Sequence, residues 1–386
     1  MKENSLKQRG VVSLFIVVFT ALLITVVSIG FVGIMIQDQQ QASANDLSQS
    51  AYDSAQAGVE DAKRALLLYQ SICDNDGVAA CSAAKAKIDS VTSPSCNVAV
   101  ETLDDIKSVI SADGEVKIQT NGKNALDQAY TCVKVKLDTI DYLGTLSSNE
   151  YDLIPLNSVS SFSTVKIEWF SSLDISSDKN FAVDLLTGAT TPLIVPNSWP
   201  SNRPPVIQTQ LIQFGSNGFN LDDLDSINNS DTLFLYPSTT GVESTSFISD
   251  VHKNPTGKPK SIKCEKSILS GGYACAVSLA LPDPVGGGDR TAFLRVGAIY
   301  NNTNFRVTLL GSGNLPVYFS GVQPEIDSTG RANDLFRRVK SRVKLIDANF
   351  PYPNATVYVT GNLCKNFIIT DSEDDYPVMN MGSCTP

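Results

Sequence analysis

The sequence predicts an α+β protein: a long N-terminal transmembrane helix followed by a β-rich, disulfide-stapled extracellular head. Three observations carry this. Val11 to Ile36 runs 26 residues without a charge. A stripe of small and apolar residues at helical spacing then continues from Leu47 to Cys73. From about Tyr151 the chain breaks into short alternating segments between turn-rich pieces, and eight cysteines are spread along it.

Composition sets the bounds. The 386 residues leave room for two or three domain-sized units. With 30 Lys+Arg against 40 Asp+Glu the net charge is −10, which argues against a generally basic nucleic-acid binder. Charged residues are depleted at 18 % while apolar residues hold at 42 %, which argues against disorder. His252 is the single histidine, so His-ligated metal sites and Ser-His-Asp or Cys-His triads have one imidazole to draw on.

The N-terminus supplies the compartment. Lys2, Lys7 and Arg9 all precede the apolar run, so the first ten residues are expected in the cytoplasm and the rest outside. Twenty-six residues suffice to span a bilayer as a tilted helix. A secretory signal peptide has a shorter apolar core, and Gln37-Asp38-Gln39-Gln40-Gln41-Ala42-Ser43-Ala44 is a weak cleavage site for one. A plain single-pass anchor is the other simple reading.

A third reading rests on the junction itself. The basic leader ends in Gly10 directly before the apolar run, in Gln8-Arg9-Gly10-Val11-Val12-Ser13-Leu14-Phe15. Here the chain resembles the type IV pilin family. The resemblance implies cutting between Gly10 and Val11 by a membrane-embedded prepilin peptidase. Loss of Lys2, Lys7, Arg9 and Glu3 would then leave 27 cations and 39 anions. Most such families carry Glu at the fifth mature position, where this chain has Phe15. A carboxylate in lipid is costly and gains from a partner in a filament. Its absence suits a low-abundance subunit, or one with no further subunit to pair with. Phe15, Gly30 and Gly33 are the positions expected to shape helix assembly.

The helix is expected to continue past the membrane. Leu47, Ala51, Ala55, Val59, Ala62, Leu66, Tyr69 and Cys73 form one stripe, and no proline occurs before Pro94. Glu60 and Arg64 are spaced for an i,i+4 ion pair, and Asp74-Asn75-Asp76-Gly77 is a stop signal. The piece Ala51-Tyr52-Asp53-Ser54-Ala55-Gln56-Ala57-Gly58-Val59-Glu60-Asp61-Ala62 is similar to a stretch of the PilX-type minor pilins. A juxtamembrane coiled-coil stalk would show a comparable stripe.

Four ranges follow: a leader over 1–10, a spine helix over 11–73, a small mixed α/β cysteine-containing subdomain over 74–150, and a β-rich head over 151–386. In the third, Ser82–Val91 and Val98–Ser111 read as helices, and Glu115–Thr120 and Tyr130–Leu137 as strands. Strands in the head are expected at Thr164–Phe170, Val206–Phe214, Thr232–Tyr236, Ala274–Leu281, Ala292–Tyr300, Phe305–Leu310, Val317–Ser320, Phe336–Ile346 and Thr356–Thr360, as in a sandwich or layered antiparallel sheet.

Gly330-Arg331-Ala332-Asn333, followed by Phe336-Arg337-Arg338-Val339-Lys340-Ser341-Arg342-Val343-Lys344-Leu345, resembles a late strand of PilX-type heads. Strand alternation puts Val339, Val343 and Leu345 on one face and Arg338, Lys340, Arg342 and Lys344 on the other. That basic face is either a solvated surface or a contact for an acidic neighbour or anionic polymer. No aromatic residues interleave with it, as a single-strand stacking platform would need.

In an oxidising compartment the eight cysteines are disulfide candidates, and no C-x-x-C supports zinc or thioredoxin-type chemistry. Cys264–Cys275 would staple a hairpin, and Cys96–Cys132 and Cys73–Cys81 are further candidate pairs. Cys364–Cys384 would clip the C-terminal tail, a closure that also resembles pilins. Asp222-Asp223-Leu224-Asp225 and Asp371-Ser372-Glu373-Asp374-Asp375 lack the EF-hand pattern, and Gly286-Gly287-Gly288 lacks the Lys-Ser/Thr of a phosphate loop. No catalytic constellation, metal or cofactor is expected.

The function implied by the resemblance is that of a minor pilin: a structural, tip, priming or adhesive subunit at the cell surface. Its partners would be other pilin subunits, the prepilin peptidase, the membrane before assembly, and a surface ligand, with no nucleic acid. The alternatives are a pseudopilin of a type II secretion system, or a single-pass surface protein with a ligand-binding or hydrolytic ectodomain.

Overall fold

A computed structural model describes residues 8–118, 127–175, 182–187, 192–215, 230–247, 259–268, 272–286 and 290–345. The candidate pair Cys364–Cys384, the strand expected at Thr356–Thr360, both acidic clusters and His252 lie outside the described residues.

One helix dominates the N-terminal part. α1 (Gln8–Asn75) is continuous for 68 residues, about 100 Å at 1.5 Å per residue. It ends where the stop signal stands, with Gly77 in the left-handed region at φ 85°. From Leu14 to Ile36 it packs against nothing, and this stretch is long and apolar enough to cross a membrane once. Higher up the stripe is buried: Ala51, Ala55, Val59, Ala62 and Leu66 all face the interior. α2 (Val78–Ile88) folds back beside the top of α1 and is tied to it by the Cys73–Cys81 disulfide. The helix expected over Val98–Ser111 is interrupted: a 3₁₀ turn at Val100–Thr102 and the single turn α3 (Asp104–Lys107) are separated by Leu103 in extended conformation.

The packed half of α1 lies on a four-stranded antiparallel sheet. Its strands are β1 (Val116–Lys117), β2 (Ala129–Lys136), β14 (Glu325–Ala332) and β15 (Leu335–Arg342), in the spatial order β1-β2-β14-β15. Val59, Ala62 and Leu66 share one core with Tyr130, Val133, Val135 and Ile326. The Cys96–Cys132 disulfide fastens the segment after α2 to β2.

The strands β3 to β13 form a second body. One sheet contains β3 (Asp141–Leu146), β5 (Phe162–Ser171), β8 (Ser244–Ser246), β10 (Tyr273–Val285), β12 (Thr303–Leu310) and β13 (Pro316–Val317). The other contains β4 (Tyr151–Pro155), β6 (Val206–Gly215), β7 (Ser230–Ser238), β9 (Lys260–Lys263) and β11 (Arg290–Ile299), in the order β4-β11-β6-β7-β9. Ile167, Trp169, Val277, Phe305 and Val307 of the first sheet share a core with Leu211, Leu235, Leu294 and Val296 of the second. The result is a β-sandwich. The Cys264–Cys275 disulfide joins the end of β9 to β10 and so staples the two sheets together.

These pairings group the chain differently from the contiguous ranges 74–150 and 151–386. Residue Val135 of β2 pairs with Ile326 of β14, so the platform sheet is assembled from two distant parts of the chain. The sandwich is an insertion between those two strands. It leaves after Asp138, which pairs with Lys85 of α2 at 2.9 Å, and returns just before Glu325. It is therefore carried at the C-terminal end of the spine, away from the apolar segment.

Candidate functional site

The seam between α1 and the platform is built from very small residues. On β14 the buried positions alternate as Ile326, Ser328, Gly330 and Ala332, so only one large apolar side chain faces the helix. A Cβ placed on Gly330 would overlap the Ala51 carbonyl oxygen and the Ala55 amide nitrogen. A Cβ on Gly58 would come 2.8 Å from Val133 Cγ2 and crowd Ser328 Oγ and Tyr130. Backbone thus meets backbone, and this contact brings the stretch Ala51–Ala62 of α1 against Gly330–Ala332 of β14.

Polar pairs lock the same seam. Tyr130 donates its hydroxyl to Asp61 at 2.9 Å. Burial first, and then the Asp61 carboxylate, raise the pKa of this phenol and keep it protonated. The expected Glu60–Arg64 pair does not form. Glu60 instead pairs with Lys63 at 2.7 Å, because Arg64 reaches Asp61 at 3.0 Å and Asp105 at 2.7 Å. Arg331, beside Gly330, makes a two-pronged contact with Glu115 (3.2 and 2.7 Å) and a third bond to Asp127 at 2.7 Å.

The basic strand face is matched by carboxylates of the same chain. Arg338 bonds Asp327 through Nε at 2.6 Å, and Lys340 bonds Glu325 at 3.1 Å. Arg342 reaches Asp141 at 3.1 Å and Glu325 at 3.2 Å, and Lys344 pairs with Asp152. Asp327 and Glu325 belong to the neighbouring strand β14, whereas Asp141 and Asp152 belong to the sandwich. The row is therefore a ladder of ion pairs, and its upper end ties the platform to the inserted domain. Val339, Val343 and Leu345 pack on the opposite side against the platform core.

Gln323 completes that junction. It is 6 % exposed, and its amide accepts from Leu143 N at 2.9 Å and donates to Leu143 O at 2.7 Å, standing in for a strand partner of β3. Thr139 and Phe319 exchange backbone hydrogen bonds at 3.2 and 2.8 Å across the two crossing segments. Sequence reasoning singled out none of Gln323, Asp141, Asp152, Glu325 or Asp327. The alternation Glu325-x-Asp327 opposite Arg338-x-Lys340 is the signal that was there to read.

The proposed processing junction Gly10–Val11 lies within α1. Phe15 is 75 % exposed, and nothing lies within 4 Å of where a Cβ would stand on Gly30 or Gly33. From Leu14 to Ile36 the apolar side chains are exposed. On the sandwich, Glu168 holds Lys166 at 3.0 Å and Arg306 at 2.7 Å. A nearby groove of about 480 Å³, lined by residues that include Leu143, Leu173, Tyr273 and Phe305, has no charged residue in its wall. Among the described residues no cluster of His, Cys, Asp and Glu has the arrangement of a metal site. Among the described residues, one apolar helix of membrane-spanning length and three disulfides fit a membrane-anchored chain with an extracellular head. No protein-family model, curated protein or solved structure matches the chain.

Proposed function

We propose that this chain is a minor pilin of a type IV pilus, processed between Gly10 and Val11 by the prepilin peptidase and assembled through α1. The work it does is assembly rather than catalysis. Before assembly the apolar segment sits in the bilayer. It then transfers to a bundle of equivalent helices, so its side chains stay out of water throughout.

The observation that carries the reading is the placement of the sandwich. It is inserted between β2 and β14, at the end of the spine remote from the apolar segment. An eleven-stranded domain there would crowd any subunit stacked above it, which favours the tip or priming position. Phe15 agrees, because a subunit with none beyond it has no use for a pairing carboxylate. The distal sandwich is then the part presented to a surface ligand.

Mass spectrometry of the native N-terminus tests this. A chain beginning at an N-methylated Val11 and co-sedimenting with sheared surface fibres is the expected result. An intact Met1, or a chain absent from fibres, removes the reading.

A further inference from the structure

The groove on the sandwich is fixed by a bend at the end of β5. This strand pairs with β12 as far as Trp169–Phe305, but with β10 as far as Ser171–Tyr273. Between those two points Phe170 takes a φ of 67°, in the left-handed region that a bulky side chain seldom occupies. Phe170 is fully buried, and its N–H donates to Thr303 Oγ1 at 3.0 Å instead of to a strand partner. Asp174 then fastens the chain where it leaves β12. One carboxylate oxygen accepts from Ser171 N at 2.6 Å and Ser171 Oγ at 3.0 Å; the other accepts from Asn304 N at 2.9 Å and Asn304 Nδ2 at 2.7 Å. The groove of about 480 Å³ lies here, walled by Leu143, Thr145, Ser172, Leu173, Tyr273 and Phe305 among others. Strained backbone held by four hydrogen bonds gives it a shape set before any ligand arrives.

Its chemistry selects the ligand. None of its described lining residues is charged. Neighbouring charges are already engaged: Arg306 lies over the Tyr273 ring at 5.2 Å and bonds Glu168 at 2.7 Å, and each Asp174 oxygen holds two donors. An ionic ligand would lose its water here and meet no counter-charge. Leu143 and Leu173 are both exposed along the wall. Hydroxyls interrupt this apolar lining. Among the described residues those of Ser172 and Tyr273 have no hydrogen-bond partner, while Thr145 donates to Asn304 Oδ1 at 2.8 Å and keeps its lone pairs. A wholly apolar occupant would cover these hydroxyls and leave them unpaired. A sugar ring answers both demands, with a C–H face for the leucines and hydroxyls that donate and accept. The volume suits a ligand of disaccharide size.

We propose that this groove binds a neutral, disaccharide-sized carbohydrate, with ring faces against Leu143 and Leu173 and hydroxyls bonded to Ser172, Tyr273 and Thr145. This gives the surface ligand of the proposed function a chemical class, and rests on that reading for the head being displayed outside the cell.

The test uses the full chain in lipid nanodiscs and four neutral disaccharides: cellobiose, maltose, lactose and diacetylchitobiose. Saturation-transfer NMR should show at least one of them binding saturably below about 10 mM, equally at low and high salt. For that sugar, Ser172→Ala and Tyr273→Phe should each weaken binding about two- to tenfold, as one lost hydrogen bond does. Ser172→Trp should fill the groove and abolish binding. Residue 172 is exposed and residue 273 half-buried, so the two hydroxyl deletions should leave the melting temperature unchanged and decide the matter if the tryptophan variant does not fold. N-acetyl-leucinamide, an apolar probe, should not bind. Absence of saturable binding by all four sugars, binding that the hydroxyl deletions leave unmoved, binding that falls as salt is raised, or N-acetyl-leucinamide binding as tightly as the best sugar overturns the inference. Such a result on a chain found processed in fibres leaves the pilin reading standing, whereas an intact leader removes that reading whatever the sugars do.

Discussion

Gly330 of β14 lies so close to α1 that a Cβ there would run into the backbone at Ala51 and Ala55. The obstacle is main chain, which cannot rotate aside as a side-chain tip can. Gly330→Ala is therefore expected to destabilise the platform by about 3 kcal/mol, the upper range for overpacking. Gly58→Ala should cost less, because its neighbours are the side chains of Ser328, Val133 and Tyr130. Gly33→Ala, with open space around it, should leave unfolding unchanged. Denaturant unfolding of the three variants in one detergent checks the order.

The same contact shows why part of the fold was hard to read. The spine was legible because its stripe keeps a 3.6-residue period over seven turns, and β2, β5, β6, β11 and β12 were legible through alternation. β14 was not. Its buried positions hold Ser328, Gly330 and Ala332, so close approach to the alanines of α1 replaced the apolar signal on which strand reading depends. The insertion was hidden for another reason: the pairing of Val135 with Ile326 is a tertiary relation that no local pattern encodes. In the candidate site, the cation row could be seen in the sequence, while its counter-charges on β14 and the sandwich depended on strand register.

Removal of the inter-sheet staple should weaken the sandwich while sparing the platform. The Cys264–Cys275 loop spans 11 residues, worth about 3 kcal/mol in the chain-entropy model. Cys264→Ala with Cys275→Ala should lower the melting temperature of the sandwich, and reductant should then have no further effect on that transition. An unchanged melting temperature would show that the two sheets need no staple.

Gln323→Ala should loosen the junction. The substitution strands the amide and carbonyl of Leu143, and a buried unsatisfied group costs about 1–3 kcal/mol. Hydrogen exchange should accelerate at Leu143 and at the crossing segments 137–141 and 318–324, with β6 and β11 unaffected. Uniform acceleration across the sandwich would contradict a local role.

Acid should act on the outer face of the sandwich through Glu168. Burial pushes this carboxyl up, but hydrogen bonds and charge from Arg306 and Lys166 outweigh it, so its pKa in the folded chain lies below the ordinary value. A carboxyl held low contributes stability that is complete above its unfolded pKa, near about 4.3. That contribution is lost as pH falls through the lower folded value. Glu168→Gln should therefore lower the melting temperature at neutral pH, and the gap to the unmodified chain should close in acid. A gap independent of pH would assign the effect to packing.

If the chain assembles into a filament as proposed, Phe15 is the residue that tests its position there. Phe15→Glu places a carboxylate in the apolar segment, where an ionisable side chain costs about 2.5–3.5 kcal/mol at the helix centre and less near its end. That cost favours any site where the new carboxylate can meet the terminal amine of a neighbour. If the unmodified chain is held at the tip by the lack of this pairing, the variant should enter the body of the fibre. Its amount per fibre should rise, and immunogold label should move from ends to shafts. The inserted sandwich opposes this move by crowding the subunit above, so a partial redistribution, with shorter fibres, is the expected outcome. A variant with unchanged abundance and unchanged label position would show that the side chain at residue 15 does not decide where this subunit sits.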